Sequence, residues 1–359
     1  MQTKSWSTYQ FEFRPYRRSF KRTLSTSHGN WDVREGIILR LMDETGRVGW
    51  GEIAPIPWFG SETLEQALDF CQQLPPQITA KDIFSIPAEL PACQFGFESA
   101  WEWGSGEWGI GNGEWVHRDT KIWRQNASPI KLSPSPRLPL SVSSPHSLLP
   151  TPYSPVSFQS PIAYSCLLPA GAAVLQSWQT PWNQGSRTFK WKIGVASIAD
   201  ELKVFNQLIQ TLPQSAKLRL DANGGLTQQE AHQWLRAADE AGIVEFLEQP
   251  LPPEQFDAML EMCSQYSTPM ALDESVATID QLEDCYHRGW RGIFVIKAAI
   301  AGSPKRLRQF CREHDIDAVF SSVFESAIAR QAALQLAAEL SNPNRAVGFG
   351  VNHWFEAEE

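Results

Sequence analysis

The sequence predicts a closed parallel (β/α) barrel that follows a small α+β domain. In the second half of the chain, six short apolar runs alternate with helical patterns, and the polar residues that end these runs recur every 24 to 29 residues. A strand–helix unit of this length requires a right-handed crossover, so neighbouring strands are parallel. One further strand at each end brings the count to eight, which closes a barrel. An open doubly wound sheet is the alternative, but no glycine fingerprint follows the first strand.

The first hundred residues contain strand patterns followed by helical patterns. The predicted strands cover 6–13, 35–42 and 48–52, and the predicted helices cover 63–73 and 91–103. A short Asp-Glu-Thr-Gly turn joins the last two strands and indicates a hairpin. Strands that precede helices are typical of an α+β module, which we assign to residues 1–103.

Residues 104–160 differ in composition from the rest of the chain. The stretch 128–160 has eight prolines and ten serines among its 33 positions. Such a segment has little to bury, so we expect a disordered Pro/Ser/Gly/Trp-rich insertion. A Gly-x-Gly-x-x-Gly match at 104–109 lies outside any strand–helix context and is discounted as a nucleotide site.

The barrel domain, 161–359, is predicted to return to the N-terminal domain with its last residues. Its strands are predicted at 162–168, 189–192, 217–221, 244–248, 270–273, 293–297, 318–322 and 346–350. Its helices are predicted at 198–211, 227–241, 254–266, 278–288, 303–314 and 326–340.

Composition narrows the class of protein. A net charge of −9 argues against a nucleic-acid partner, which needs a basic surface. The longest nearly unbroken apolar run, 166–175, is about half of a membrane span, so no membrane span is expected. Six cysteines without Cys-x-x-Cys spacing, and an N-terminus without a signal pattern, favour a cytoplasmic protein. The sequence does not indicate an oligomeric state.

Polar residues end five successive predicted strands of the barrel, namely Lys192, Asp221, Glu248, Asp273 and Lys297. Strand C-termini converge on the barrel mouth, where active sites of this fold lie. Three carboxylates on neighbouring strands suit Mg²⁺, and the lack of His or Cys there disfavours zinc. Each carboxylate alone could equally cap a helix or form an ion pair.

The lysines suggest what the metal would assist. Lys190 and Lys192 lie two residues apart and share one face of their strand, while Lys297 lies across the barrel. A lysine beside a divalent cation and a second ammonium can have a lowered pKa, so it can take a proton from carbon. The substrate would be a small carboxylate whose enediolate the metal stabilises.

These residues resemble the enolase superfamily, in particular its muconate-lactonizing subgroup. The motifs are Lys190-x-Lys192, Asp221-Ala-Asn223, Glu248-Gln-Pro250, Asp273-Glu-Ser275 and Lys297. The stretch from Arg34 to Pro57, with Gly49-Trp-Gly-Glu52 inside it, resembles the capping domain of the o-succinylbenzoate synthases of that subgroup. The resemblance implies a modified (β/α) barrel of the (β/α)7β type with an N-terminal α+β capping domain.

The resemblance also implies a reaction. It is the Mg²⁺-dependent syn dehydration of 2-succinyl-6-hydroxy-2,4-cyclohexadiene-1-carboxylate to o-succinylbenzoate, a step of menaquinone or phylloquinone biosynthesis. Asp221, Glu248 and Asp273 would hold Mg²⁺, with Mn²⁺ as an alternative ion. Lys192 would be the base and then the acid, and Lys297 would stabilise the enediolate.

The same resemblance implies supporting residues. Lys190 would tune Lys192, and Asn223 and Glu274 would orient the metal ligands. Ser321 and Ser322 would bind the succinyl carboxylate. The loop at 25–31 would close over the substrate.

Three other functions remain open from the sequence. The same Lys–Mg–Lys site could racemise N-acylamino acids, Lys297 could form a Schiff base as in an aldolase, or the barrel could bind without catalysis. The segment 348–354 lacks the Asp-x-Asp expected of a dipeptide epimerase.

Overall fold

The computed structural model describes residues 8–26, 29–105, 162–351 and 355. The insertion predicted at 104–160 therefore lies outside the described residues from 106 onward. The described chain forms one four-stranded sheet and one eight-stranded sheet. No helix of these residues is long and apolar enough to cross a membrane.

The N-terminal sheet is antiparallel and has the strand order β3-β2-β1-β4. Its strands are β1 (Thr8–Thr26), β2 (Gly29–Asp43), β3 (Val48–Ile53) and β4 (Gln77–Thr79). Its helices are α1 (Leu64–Gln73), α2 (Ala80–Ile83) and α3 (Pro91–Ser105), and a 3₁₀ turn covers Pro57–Phe59.

Strand β1 is much longer than the predicted 6–13. We expected it to end before Pro15, but β4 pairs with only the first residues of β1, from Thr8 to Gln10. At Pro15 no described strand pairs with that side of β1, so the proline there removes no ladder hydrogen bond. Strand β4 itself was not predicted, since three residues carry no periodic signal.

The predicted loop at 25–31 is largely paired strand. Leu24 pairs with Trp31, and the ladder continues to Thr26 opposite Gly29. The described residues of this segment therefore lie in β1 and β2 and not in a loop, while 27 and 28 lie outside the described residues. That the segment closes over the substrate stays a prediction. Leu24 and Trp31 still line the cavity described below.

The second sheet is parallel throughout and has the order β11-β10-β9-β8-β7-β6-β5-β12. Its strands are β5 (Tyr164–Leu167), β6 (Thr188–Lys192), β7 (Lys217–Asp221), β8 (Val244–Glu248), β9 (Met270–Leu272), β10 (Ile293–Ile296), β11 (Asp317–Phe320) and β12 (Val347–Gly350). Its helices are α4 (Gln179–Asn183), α5 (Ile198–Thr211), α6 (Gln228–Ala241), α7 (Phe256–Met262), α8 (Ile279–His287), α9 (Ala298–Ala301), α10 (Pro304–Glu313) and α11 (Ala327–Leu340).

A bridge between Ser321 and Gly348 joins the end of β11 to β12 and completes the ring. Seven strands are followed by a helix before the next strand begins, and β12 is the eighth. The predicted (β/α)7β barrel is thus confirmed. Helix α7 is shorter than the predicted 254–266, because a 3₁₀ turn at Pro253–Gln255 precedes it. Helix α9 was not predicted.

Side chains alternate along the barrel strands as the pleat requires. Trp191 is fully buried and packs against Trp234 of α6, outside the ring. Inside the ring, a separate apolar cluster includes Phe246, Ala271 and Val295. Because Glu248 and Lys297 lie two residues after Phe246 and Val295, they continue the inward face at the strand ends.

The C-terminal end of the chain reaches the N-terminal sheet. Phe355 forms an antiparallel bridge with Phe20 of β1. The two rings stack with centroids 4.8 Å apart. The N-terminal sheet is therefore attached to the barrel from the chain's end as well as through its own helices.

Candidate active site

The strand register brings the predicted site residues to one level of the barrel. Lys192 pairs with Asp221, and Asp221 pairs with Glu248 on the next strand. Asp273 directly follows β9, and Lys297 directly follows β10. All five positions therefore meet at the mouth formed by the strand C-termini.

Lys190 lies between two of the predicted metal ligands. Its Nζ is 2.8 Å from Oδ2 of Asp221 and 2.7 Å from Oε1 of Glu248. The carboxylate of Glu248 is almost completely buried. Burial alone would lower the pKa of Lys190, but Asp221 and Glu248 outweigh it and hold that pKa above its ordinary value.

Lys297 has two different neighbours. Its Nζ forms an ion pair with Oδ1 of Asp273. It also lies 3.8 Å from the centroid of the Phe59 ring, which belongs to the 3₁₀ turn after β3. The ammonium is therefore placed between a carboxylate and an aromatic face, both of which favour its charge.

Lys192 lines the same cavity but forms no ion pair or hydrogen bond with any described residue. Strands β6 and β10, which carry Lys192 and Lys297, are separated by three strands on either side of the ring. The two lysines therefore approach the cavity from opposite sides. An unpaired lysine opposite a paired one is suited to proton transfer on one face of a bound molecule.

The carboxylates differ in their electrostatics. Burial raises the pKa of Glu248, and the nearby Asp221 raises it further. Burial also raises the pKa of Asp273. Asp221 is buried too, but the Lys190 ammonium lowers its pKa. Several buried carboxylates at one level repel each other, and this repulsion is what a bound cation relieves.

The donor set fits a divalent cation that prefers oxygen. Asp221, Glu248 and Asp273 provide carboxylate oxygens on three neighbouring strands, as Mg²⁺ requires. As the side chains stand, no group of three acidic, His or Cys residues in the described ranges closes around a metal position. In this arrangement the Lys190 ammonium pairs with Asp221 and Glu248, and the Lys297 ammonium pairs with Asp273.

Asn223 and Glu274 lie beside the proposed ligands and line the same cavity. Asn223 donates from Nδ2 to Oε1 of Glu274 at 3.1 Å, and its backbone N–H donates to Oδ1 of Asp221 at 3.1 Å. The other Glu274 oxygen is buried and has no partner among the described residues. Asn223 has φ of +44°, a left-handed conformation that asparagine tolerates.

Sequence reasoning missed the role of Gln249. Its Oε1 accepts hydrogen bonds from the backbone N–H groups of Asp273 (2.9 Å) and Ser275 (3.2 Å). Its Nε2 donates to Oγ of Ser275 at 2.7 Å and to the Leu251 carbonyl. Gln249 thus fixes the turn that carries Asp273. The Glu248-Gln-Pro250 motif was the available signal, but a motif does not show what an amide contacts.

The cavity above these residues has a volume of about 200 Å³ and an aromatic wall. Trp31, Trp58 and Phe59 come from the N-terminal sheet and the turn that follows it, and Phe324 comes from the loop after β11. Trp31 packs edge-on against Trp58 with centroids 5.1 Å apart. Sequence reasoning missed Trp58 and Phe59, which lie in a short turn without periodic pattern.

Ser321 and Ser322 both line the cavity. Ser322 donates from Oγ to Oε2 of Glu325 at 2.8 Å and accepts from the Phe324 N–H at 3.0 Å. Ser321 makes one long contact, 3.5 Å, to the Gly348 carbonyl. Ser321 is therefore the hydroxyl that can turn toward a ligand, whereas Ser322 already holds the loop.

Comparison with known families agrees with this geometry. Residues 173–358 match the family model described as enolase C-terminal domain-like, and residues 13–102 match the one described as MenC, N-terminal domain. The chain belongs to the enolase superfamily. Both matches lie within the parts of the chain that form the barrel and the antiparallel sheet.

Individual members of the enolase superfamily are similar to this chain. An o-succinylbenzoate synthase of Thermosynechococcus vestitus is 38% identical over 352 residues, covering 97% of this chain and 94% of the relative. The crystal structure of o-succinylbenzoate synthase from Thermosynechococcus elongatus BP-1, with Mg in the active site, superposes with a TM-score of 0.77 at 38% identity, covering 97% and 95% of the two chains. A dipeptide epimerase of Enterococcus faecalis, 18% identical with a TM-score of 0.72 over 98% and 92% of the chains, shares the fold.

Proposed function

We propose that this chain is a Mg²⁺-dependent carbon–oxygen lyase that converts 2-succinyl-6-hydroxy-2,4-cyclohexadiene-1-carboxylate to o-succinylbenzoate. The observation that supports this proposal most directly is the arrangement of Lys192 and Lys297 on opposite sides of three buried carboxylates. It occurs in a chain 38% identical to an o-succinylbenzoate synthase over nearly its whole length. The product is a precursor in menaquinone or phylloquinone biosynthesis.

Asp221, Glu248 and Asp273 would hold the metal. Bound Mg²⁺ would supply a concentrated positive charge for the negative charge that develops on the substrate carboxylate. Lys190, which contacts Asp221 and Glu248, would be a second positive charge beside the ligands. Asn223 and Glu274 would hold Asp221 and the cation from behind.

Lys192 would perform both proton transfers. It removes the proton on the carbon next to the substrate carboxylate, and it then donates that proton to the departing hydroxyl, which leaves as water. One group serves both steps because the eliminated atoms leave from the same face of the ring. Lys297 faces the other side and stabilises the enediolate by charge and by contact with the ring. Ser321 would bind the succinyl carboxylate, with Ser322 holding its loop.

We propose further that the chain divides into a capping domain at 1–103, an insertion at 104–160 and a catalytic barrel at 161–359. The aromatic wall that the N-terminal part contributes to the cavity supports a capping role. All six cysteines are free thiols, in keeping with a cytoplasmic enzyme.

The site geometry also favours a second activity. Because Lys192 and Lys297 approach from opposite sides, they could exchange a proton on either face of an N-acylamino acid. Racemisation of such a compound at the same site is therefore the second candidate function. Optical rotation of N-succinylated amino acids in the presence of enzyme and Mg²⁺ measures it directly.

The deciding experiment follows the change in ultraviolet absorbance as the diene becomes aromatic. Wild type with Mg²⁺ should turn over, and Lys192→Ala should lose about 10²- to 10⁴-fold in rate because it lacks the base. Lys203→Ala, on the exposed face of α5, is the matched control and should keep the wild-type rate. A wild-type rate in Lys192→Ala contradicts the assigned role of Lys192. Activity that survives EDTA, with borohydride trapping of substrate on Lys297, would instead indicate a Schiff-base enzyme.

A further inference from the structure

The N-terminal sheet places one fully buried carboxylate against the barrel. Glu52, in β3, has none of its surface exposed. Its Oε1 accepts from the backbone N–H of Ser326 at 2.9 Å, and its Oε2 accepts from the N–H of Ala329 at 3.2 Å and from the Ser326 hydroxyl. Ser326 and Ala329 lie at the beginning of α11, so a residue of one domain caps a helix of the other.

Tyr16 completes the surroundings of this carboxylate. Its hydroxyl donates to Oε1 of Glu52 at 2.5 Å. Burial, and then the Glu52 charge, raise the pKa of Tyr16, so the phenol keeps the proton that it donates. Glu52 therefore receives hydrogen bonds from both the sheet and the barrel.

Glycines make room for this arrangement. A Cβ on Gly51 would lie 2.0 Å from the carbonyl oxygen of Gly96, so β3 and α3 are in backbone contact just before Glu52. A Cβ on Gly36 would lie 2.6 Å from the ring of Tyr16. A larger residue at Gly51 would therefore push β3 and α3 apart, and one at Gly36 would displace the Tyr16 ring or β3.

The residues that Glu52 holds are continuous with the cavity wall. Ser326 follows Glu325, whose Oε2 accepts from the Ser322 hydroxyl and from the Val323 N–H at 2.6 Å. Phe324, which precedes Glu325 in this loop, has φ of +60°. Its ring packs against Trp31 with centroids 5.7 Å apart. A phenylalanine in a left-handed conformation persists only where its surroundings hold it. The loop at 321–326 is thus fixed at its far end by Glu52.

We propose that Glu52 is a positioning residue for substrate recognition. By capping α11 from the other domain, it holds the loop at 321–326 so that Ser321 faces the cavity at the distance the substrate's distal carboxylate requires. This inference rests on the proposed function, because it concerns the group that distinguishes o-succinylbenzoate from simpler ring carboxylates. Glu52 is not among the described residues that line the cavity, and its hydrogen-bond partners are Tyr16, Ser326 and Ala329.

The test compares two ligands by calorimetry in the presence of Mg²⁺. o-Succinylbenzoate carries the distal carboxylate, whereas benzoate carries only the ring carboxylate. We expect Glu52→Gln to weaken o-succinylbenzoate binding about tenfold, which is ~1.4 kcal/mol, and to leave benzoate binding within about twofold. In turnover, KM should rise by a similar factor while kcat stays within about threefold, since the loss concerns binding and not chemistry. The dissociation constant for Mg²⁺ should not change.

The matched control is Thr227→Ala, which removes a side-chain cap from α6, on the opposite side of the barrel from the loop. It should lower the melting temperature without changing the preference between the two ligands. If Glu52→Gln does not fold, Tyr16→Phe is the variant to test, because it removes only the phenol that donates to Glu52. It should lower the preference for o-succinylbenzoate over benzoate by about threefold. Equal losses for both ligands, or no loss in the variant that folds, overturn the positioning role. Failure of the wild type to bind o-succinylbenzoate contradicts the proposed function instead.

Discussion

Gln249 shows how a single amide supports the site from behind. It is fully buried, has φ of +37°, and satisfies two backbone N–H groups of the turn that carries Asp273. Asp273 and Ser275 are buried, so their amides lose their acceptor if the Gln249 side chain is removed. Gln249 therefore contributes to stability and to the placement of a proposed metal ligand through the same two hydrogen bonds.

Gln249→Ala should lower the free energy of unfolding by about 2–4 kcal/mol, because it leaves two buried N–H groups without an acceptor. Urea denaturation followed by tryptophan fluorescence measures this change. Gln265→Ala is the control, since Gln265 is exposed and makes only a 3.5 Å contact. If Gln249→Ala lowers the free energy of unfolding by less than about 0.5 kcal/mol, the turn does not depend on these two hydrogen bonds.

A β-bulge in β8 positions a buried ion pair near the N-terminal ends of the barrel strands, away from the mouth. The β7–β8 register skips Glu245, which turns this side chain toward Arg219. The Nε of Arg219 is 2.7 Å from Oε2 of Glu245, and both side chains are buried. Arg345 joins the same carboxylate at 3.2 Å. Buried charges at this end are paired and hydrogen-bonded, which is the condition for tolerating them.

Arg219→Ala should destabilise the protein by about 3–5 kcal/mol, because it removes one partner of a buried ion pair. Lys217→Ala provides the control, since Lys217 approaches the same Glu245 at 3.5 Å but is half exposed and should change stability by less than about 1 kcal/mol. Chemical denaturation of both variants gives the comparison. Equal effects would contradict the importance of burial.

A hydrogen-bonded contact between two helices joins α3 of the N-terminal domain to α10 of the barrel. Oε2 of Glu98 accepts from the Ser303 hydroxyl at 2.8 Å and from the Lys305 N–H at 3.1 Å. Burial raises the pKa of Glu98 to about 7. At pH values between the ordinary pKa of a glutamate and about 7, Glu98 is therefore protonated in the folded state and ionised in the unfolded chain.

The contribution of Glu98 to stability should be largest below its ordinary pKa and should be lost as the pH rises through about 7. Glu98→Gln keeps an acceptor oxygen without the charge. It should be more stable than wild type at pH 8, by on the order of 2 kcal/mol, and no more stable at pH 4. Thermal melts across this range measure the difference. A difference in stability that does not change with pH in Glu98→Gln would contradict the assigned ionisation.

For the whole molecule, metal binding should be visible as stability. A ligand that binds only the folded state at about 100 times its dissociation constant adds ~2.7 kcal/mol. We expect Mg²⁺ to raise the melting temperature of wild type and of Asp257→Asn, which changes an exposed carboxylate. Asp221→Asn should lose the Mg²⁺ effect. The same Mg²⁺ response in Asp221→Asn would rule out Asp221 as a ligand.

The polar ends of the barrel strands were predictable because two simple rules determine them. Side-chain alternation assigns Lys190 and Lys192 to one face, and parallel topology brings Asp221 and Glu248 to one end. Both rules depend on spacing, which a sequence contains. The structure accordingly places every predicted lysine and carboxylate at the mouth.

The contacts that depend on tertiary packing were not predictable in this way. Phe59 contacts Lys297 across 238 positions of the chain, and Glu52 caps a helix 274 residues away. Neither residue belongs to a periodic pattern that points to its partner. Strand β1 continues well beyond the predicted end at residue 13, because its pairing with β2 and not its own residue pattern determines its length.

The closure of the barrel has a consequence for synthesis of the chain. Strand β12 lies between β5 and β11, and its residues 347–350 follow those of the other seven barrel strands in the chain. Until they leave the ribosome, β5 and β11 are open edges of a nearly complete parallel sheet, and open edges pair readily with other chains. The N-terminal sheet can form early, since β1 to β3 are contiguous, but the barrel remains unfinished until its final strand arrives. Premature termination a few residues before β12 would therefore release an aggregation-prone chain that already contains every proposed catalytic residue.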